Sequence, residues 1–152
     1  MKALRFRRAK RADLQAIVAL LADDELGRDR ESTDWAAMPA YEAAFEQIDA
    51  GPGGIFVGEF EGKIVATYQL AIMPVLSYGG SVGAVLHDVR IASDLRGHGL
   101  GAELVADAEE RARGLGCQHV SLSSNKVRTR AHKFYERNGY QQTRLGFRKT
   151  LV

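Results

Sequence analysis

The stretch LHDVRIASDLRGHGLGA, Leu86 to Ala102, decides how the rest of this chain is read. It opens with apolar strand formers at Leu86, Val89 and Ile91. That character stops at Ala92-Ser93-Asp94, and Arg96-Gly97-His98-Gly99-Leu100-Gly101 follows. Beyond it, Leu100, Leu104, Val105 and Ala108 recur at helical spacing, with Glu103, Asp107 and Glu110 between them. The segment therefore reads as strand, glycine-rich loop, helix. Glycines at a helix entrance leave bare backbone N–H groups, and with the positive end of the helix dipole these attract an anion. The expectation is a phosphate cradle.

Gly97-x-Gly99-x-x-Ala102 formally matches a dinucleotide-binding fingerprint. That fold wants its first glycine directly after the strand and an acidic residue about 20 positions on. Here Ala92–Arg96 intervene, and no Asp or Glu lies between Arg111 and Tyr135. A Walker A loop is excluded because no Gly-Lys-Ser/Thr follows.

Size and composition set the frame. The chain has 152 residues, enough for one domain spanning 1–152 with a single sizeable core. Apolar residues make up 45% and charged residues 26%, as in ordinary globular proteins. The one cysteine, Cys117, reads as a small buried hydrophobe, and nothing points to an oxidising compartment. Leu14, Ile17, Val18 and Leu21 trace one helix face, closed by Asp23-Asp24-Glu25, so the apolar stretch after the basic N-terminus reads as a core helix rather than a leader. No run reaches membrane-spanning length, and a cytoplasmic location is the default reading.

Along the chain, Ala3–Arg8 alternates like a strand, Ala12–Ala22 is helical, and Glu25–Asp34 reads as a loop. Pro39 opens a second helix to about Ala50, and Gly51-Pro52-Gly53-Gly54 stops it. Ile55–Phe60 and Lys63–Met73 flank Glu61-Gly62 as a hairpin. Pro74–Gly83 is a loop leading to the strand Ala84–Ile91. After the cradle helix, Gly114 and Gly116 mark its end, and His119–Ser123 is a further strand. A helix closes at Gly139-Tyr140, and Tyr140–Leu151 is expected to supply a last strand or hairpin. The fold class is mixed α/β, in the order β-αα-βββ-α-β-α-β.

Arg96-x-x-Gly99-x-Gly101 after Val89-x-Ile91 resembles the coenzyme A-binding motif of the GNAT superfamily of N-acetyltransferases. Ala131-x-x-Phe134-Tyr135-x-x-x-Gly139-Tyr140 resembles that family's closing helix, and order and spacing agree over essentially the whole chain. The resemblance implies a GNAT fold, acetyl-CoA as co-substrate and transfer of its acetyl group to a primary amine in a ternary complex. It makes Tyr135 the candidate acid for the departing sulfur, against a plain anchoring role beside Phe134. His87 stands where many relatives have a glutamate and is the candidate base, with Asp88 its competitor; an imidazole titrating near neutrality suits the task.

By the same analogy a backbone N–H near Val89 serves as oxyanion donor, and the main chain of Val89, Arg90 and Ile91 binds the pantetheine arm like an added strand. Arg96, Gly97, His98, Gly99, Leu100, Gly101 and Ala102 take the diphosphate. Asn125 is a pantetheine contact or a simple turn residue. Lys126, Arg128 and Arg130 are candidates for the 3′-phosphate. No metal site is assigned, and a homodimer is left open.

The resemblance also implies that Asp23–Trp35 and Pro74–Gly80 shape the acceptor site. From Asp23 to Asp49 nine acidic residues face Arg28 and Arg30, whereas Arg90–Lys149 holds twelve Lys/Arg against six Asp/Glu. This asymmetry favours a cationic acceptor such as a polyamine or a lysine side chain. Against it, Ser121–Leu151 is similar to bacterial aminoalkylphosphonate acetyltransferases, whose substrates carry a phosphonate as well as an amine. Two alternatives stay open: acetylation of protein lysines or N-termini, and a non-catalytic acetyl-CoA-binding module. Nucleic-acid binding is set aside, because the basic half lacks aromatics clustered between its charges.

Overall fold

The computed structural model describes residues 3–152. It contains β1 (Arg5–Arg8), α1 (Leu14–Ala22), α2 (Met38–Asp49), β2 (Gly54–Phe60), β3 (Lys63–Pro74), the single turn α3 (Ser77–Gly80), β4 (Val82–Ile91), α4 (Leu100–Gly114), β5 (His119–Leu122) and α5 (Thr129–Arg137). Two compact units result, one running to Ser121 and the other Leu122–Val152.

The strands form one sheet in the order β1-β2-β3-β4-β5. Its first three pairings are antiparallel. The expected hairpin between β2 and β3 is present, with Glu61 and Gly62 both at positive φ, which matches the twist of the flanking strands. Alternation on β2 sends Val57 to one face of the sheet and Phe56 to the other. Val57 joins Ala9, Leu14, Ile17 and Phe45 in a buried cluster, so α1 and α2 cover that face.

On the opposite face Phe56 stacks on Tyr68, ring centroids 5.1 Å apart, and the Arg111 guanidinium lies 4.3 Å from the Phe56 ring centre. The Tyr68 hydroxyl donates to Asp107, which also accepts from Arg111 at 2.8 Å. Burial and this bonded carboxylate push the Tyr68 hydroxyl far above the usual phenol range. α4 buries Leu100, Leu104, Val105, Ala108 and Ala112. Their spacing is the helical stripe expected from the sequence.

Two expectations change. The N-terminal strand begins at Arg5 rather than Ala3, and the first helix begins at Leu14 rather than Ala12 because Arg11–Asp13 winds as a tight 3₁₀ turn. More important, Tyr140–Leu151 forms no strand or hairpin: residues 140–152 belong to no sheet, and Leu145, Phe147 and Leu151 are exposed. An alternating pattern becomes a strand only where another strand completes its hydrogen bonds, and none of the described strands pairs with this segment.

The entry to α1 is held electrostatically. Arg7 donates to both oxygens of Asp13 at 2.7 and 3.0 Å and to Glu59 at 2.7 Å, while the Lys10 N–H donates to Asp13 at 2.7 Å. The Arg7 hydrogen bond, then the Lys10 amide, hold the Asp13 carboxyl below its ordinary value of 3.8, against the opposing effect of burial. A depressed carboxyl contributes stability that is present above its unfolded value and lost as pH falls through the folded one. Asp13→Asn should therefore destabilise the protein by about 1–3 kcal/mol at pH 7. In urea unfolding, the difference from wild type should shrink as the pH falls below the ordinary carboxylate range.

Candidate functional site

β4 departs from regular pairing where the candidate base residues stand. Thr67 faces Arg90 and Gln69 faces His87, so two steps along β3 span three along β4. Asp88 and Val89 together stand opposite Tyr68, an excess of one residue, and neither has a register partner on β3. Asp88 adopts a left-handed backbone, φ 53°, a conformation Asp tolerates better than most residues. Such a bulge interrupts the ladder and turns side chains and amides out of the sheet.

His87 and Asp88 are exposed as a result. Asp88 also borders a small cavity of about 40 Å³ lined by Ile17, Leu21, Ile55, Thr67, Tyr68 and Gln69. Thr67 is tied off there by donating to the Phe56 carbonyl at 2.9 Å.

A short turn, Ser93–Leu95, separates the bulged strand from the glycine loop. Gly97 and Gly99 take φ of 82° and 79°, which an L side chain adopts only under strain, and open space lies where a Cβ would stand. Gly99 is the N-cap of α4 and supplies no side-chain oxygen to the first turn. The amides opening α4 are thus left to an outside acceptor. Leu100 anchors this end in the core at 2% exposure, and the first-turn Glu103 is occupied in accepting the Leu4 N–H at 2.9 Å. His98 is exposed, its Nδ1 3.2 Å from the Leu95 carbonyl. The residues present fit a diphosphate group at this helix start.

The side chain of Arg96 points elsewhere. Its Nε donates to the Ile91 carbonyl at 3.1 Å and its Nη2 to the Asp23 carbonyl at 2.8 Å. The Asp23 carboxylate in turn accepts the Ser93 N–H at 3.1 Å. Nearby, Arg90 pairs with Asp24 at 3.3 Å, both side chains largely buried, and donates to the Val89 carbonyl at 2.9 Å. The loop that follows α1 is in this way tied to the segment between the bulge and the glycine loop.

Arg30, on the same loop, bonds Glu31 at 2.9 Å. Its guanidinium is held above the usual range first by Glu31 and more weakly by Asp24 and Asp88, which puts it within electrostatic reach of the bulge. Nothing in the local sequence marked these partners of Asp23 and Asp24. They lie about 70 residues away in the chain.

The second unit holds the remaining candidates. Asn125 makes a turn: its Oδ1 accepts the Val127 N–H at 3.1 Å, and its carbonyl accepts from the Arg128 N–H at 2.9 Å and lies 2.9 Å from His132 Nε2. Arg130 is exposed on the first turn of α5. Tyr135 is half-buried, with edge contacts to Phe134 and Tyr140 at 5.1 and 5.8 Å between ring centres. Its carbonyl accepts the Tyr140 N–H at 3.0 Å, with Gly139 left-handed between them.

Residues 14–140 match the Acetyltransferase (GNAT) family, and the chain belongs to that family. It is 34% identical over 90 residues to an aminoalkylphosphonate N-acetyltransferase of Salmonella typhimurium, a match covering 59% of this chain and 58% of that one. It is 33% identical over 87 residues to a glucosamine 6-phosphate N-acetyltransferase of Trypanosoma brucei brucei, covering 57% of each. The matches thus span under two thirds of these relatives. A structure from Bacillus halodurans C-125, named a transcriptional regulator, superposes with a TM-score of 0.92 at 35% identity over 97% of this chain and 99% of that one. Among the described residues no helix is long and apolar enough to cross a membrane.

Gly27 gives the sharpest test of the loop that braces the site. A Cβ there would stand 1.9 Å from the Leu21 carbonyl oxygen, a contact only backbone movement relieves. Gly27→Ala should cost at least about 2 kcal/mol. Hydrogen exchange should accelerate through residues 23–33 before the sheet is affected.

Proposed function

We propose that this chain is an N-acetyltransferase that uses acetyl-CoA to acetylate the primary amine of a small molecule. One observation carries the reading: an uncapped helix start follows within a dozen residues of a strand bulge that presents His87, Asp88 and the unladdered Val89. Membership of the GNAT family supports it. The amides from Gly97 to Ala102 would hold the diphosphate, and the main chain of Val89–Ile91 the pantetheine arm. Asn125 and Arg130 are proposed as further coenzyme contacts, on the strength of the family resemblance.

When bound, acetyl-CoA supplies an acetyl group activated on sulfur. The chain's own groups handle protons and charge. His87, or Asp88 beside it, takes the proton that the acceptor ammonium loses as its nitrogen forms the new C–N bond. The Val89 N–H, unpartnered in register, donates to the negative charge that develops on the carbonyl oxygen. Tyr135 gives a proton to the sulfur as the C–S bond breaks.

For the acceptor we favour an amine that also carries a phosphonate or phosphate group. The names of both curated relatives join those features, and the bracing loop offers exposed Arg28 and Arg30, of which Arg30 lies within electrostatic reach of Asp88. The acidic bias of Asp23–Asp49 favours a second reading, a polyamine or lysine acceptor.

A thiol-release assay with acetyl-CoA separates the two. Aminoalkylphosphonates and amino-sugar phosphates should turn over faster than polyamines, aminoglycosides or lysine peptides. Turnover with none of these amines, despite tight acetyl-CoA binding, would leave only a binding module. Tyr135→Phe should lower kcat by about 10²–10⁴-fold with acetyl-CoA affinity little changed. Gly99→Glu should abolish acetyl-CoA binding in calorimetry, since it puts a carboxylate and a strained backbone at the cradle.

A further inference from the structure

Between β4 and the glycine loop, residues 92–96 form neither strand nor α-helix, yet both ends of this stretch are fastened. The Ala92 N–H donates to the Val65 carbonyl of β3 at 2.8 Å, and the Leu95 N–H closes the turn on the Ala92 carbonyl at 2.9 Å. At the other end the Arg96 guanidinium spans two carbonyls, that of Ile91 at the end of β4 and that of Asp23 at the C-cap of α1. Carbonyls at a helix C-terminus lack intrahelical donors and lie at the negative end of the dipole, so a guanidinium is a fitting partner. Gly97 then turns left-handed and leads into the amides that open α4.

Asp23 is held from a second side. Its carboxylate accepts the Ser93 N–H at 3.1 Å, and Asp24 beside it pairs with Arg90. The same carboxylate lies 4.0 Å from Arg96 Nη2, too distant and too exposed to add much. The weight falls on the two carbonyl bonds, which a flat guanidinium reaches at once and an ammonium does not duplicate. From Asp23 and Asp24 the chain runs into the loop that bears Arg30, whose guanidinium feels both Asp24 and Asp88. Residues 93–96 are thus a shared support for the amides that open α4 and for the loop beside the bulge.

We propose that Arg96 is a positioning residue that couples the coenzyme cradle to the acceptor side. With a diphosphate held on the amides of Gly97–Ala102, residues 93–96 are fixed in place, and through Arg96 and Ser93 so is the loop from Asp23 to Asp34. This coupling rests on the reading of those amides as the coenzyme site, and it takes the Arg96 side chain off the diphosphate. Ordering one segment lowers the cost of ordering the next, and the effect is reciprocal between the two ligands. An acceptor anion reaching for Arg30 then meets a loop already in position.

Hydrogen exchange on the full chain, with and without saturating acetyl-CoA, tests this. In wild type the coenzyme should slow exchange at 97–102 and also, by about threefold or more, at 24–33. In Arg96→Met, which removes every side-chain donor, the slowing should persist at 97–102 and vanish at 24–33. A merely structural role would speed exchange of the loop in both states and keep the coenzyme-dependent difference, and that result overturns the proposal. Asp23→Ala removes the acceptor of the Ser93 amide and gives the same comparison if Arg96→Met does not fold. Calorimetry should find acetyl-CoA affinity in Arg96→Met within about threefold of wild type. A loss of about tenfold or more would return this side chain to the diphosphate and refute the coupling. In wild type, slowing at 97–102 alone sinks the coupling and spares the coenzyme site, whereas slowing at neither sinks both.

Discussion

Regular antiparallel pairing between β3 and β4 would be the simplest way to build this sheet, and its interruption at Asp88 is the constraint on which the site depends. One residue too many on β4 cannot be absorbed within the ladder. The extra length is taken up by a left-handed Asp88, and Val89 loses its partner. The same defect that interrupts the ladder leaves His87 and Asp88 exposed. Strain of this sort persists only where the surroundings hold it. Here they are Ile17 and Leu21 of α1 on one side and the Tyr68 position of β3 opposite.

The second requirement is that α4 start where the strand ends. Its buried stripe secures it to the sheet, and the Tyr68–Asp107–Arg111 group adds a polar tie at mid-helix. The tyrosine hydroxyl, deep under the helix, is satisfied by a carboxylate that an arginine in turn balances, so no buried polar atom of the three is left without a partner. With the helix so fixed, its first turn has no side chain to cap it, and the glycines before it keep the approach open.

The loop after α1 brings the two features into one assembly. Asp23 receives Ser93 and Arg96, and Asp24 receives Arg90. Arg96, whose place in the motif suggests a phosphate contact, is engaged here with carbonyl oxygens of Asp23 and Ile91. The acidic run at the end of α1 thus serves the packing of the segment that follows β4, a role distinct from the acceptor attraction its net charge suggested.

Local pattern was enough to reveal most of the elements and the glycine-rich entrance to α4. The stripe of α4, the Glu61-Gly62 hairpin and the Gly97–Gly101 entrance each depend on side-chain spacing or backbone freedom within a few residues. The motifs around Arg96 and Tyr135 likewise named the family. Tertiary structure alone decided the rest. The bulge at Asp88 exists only relative to the register of β3, and the partners of Asp23, Asp24 and Tyr68 lie far along the chain. Residues 140–152 show the limit most plainly: alternation makes a segment fit to be a strand, but only a neighbouring edge completes its hydrogen bonds, and no sequence contains its own neighbour.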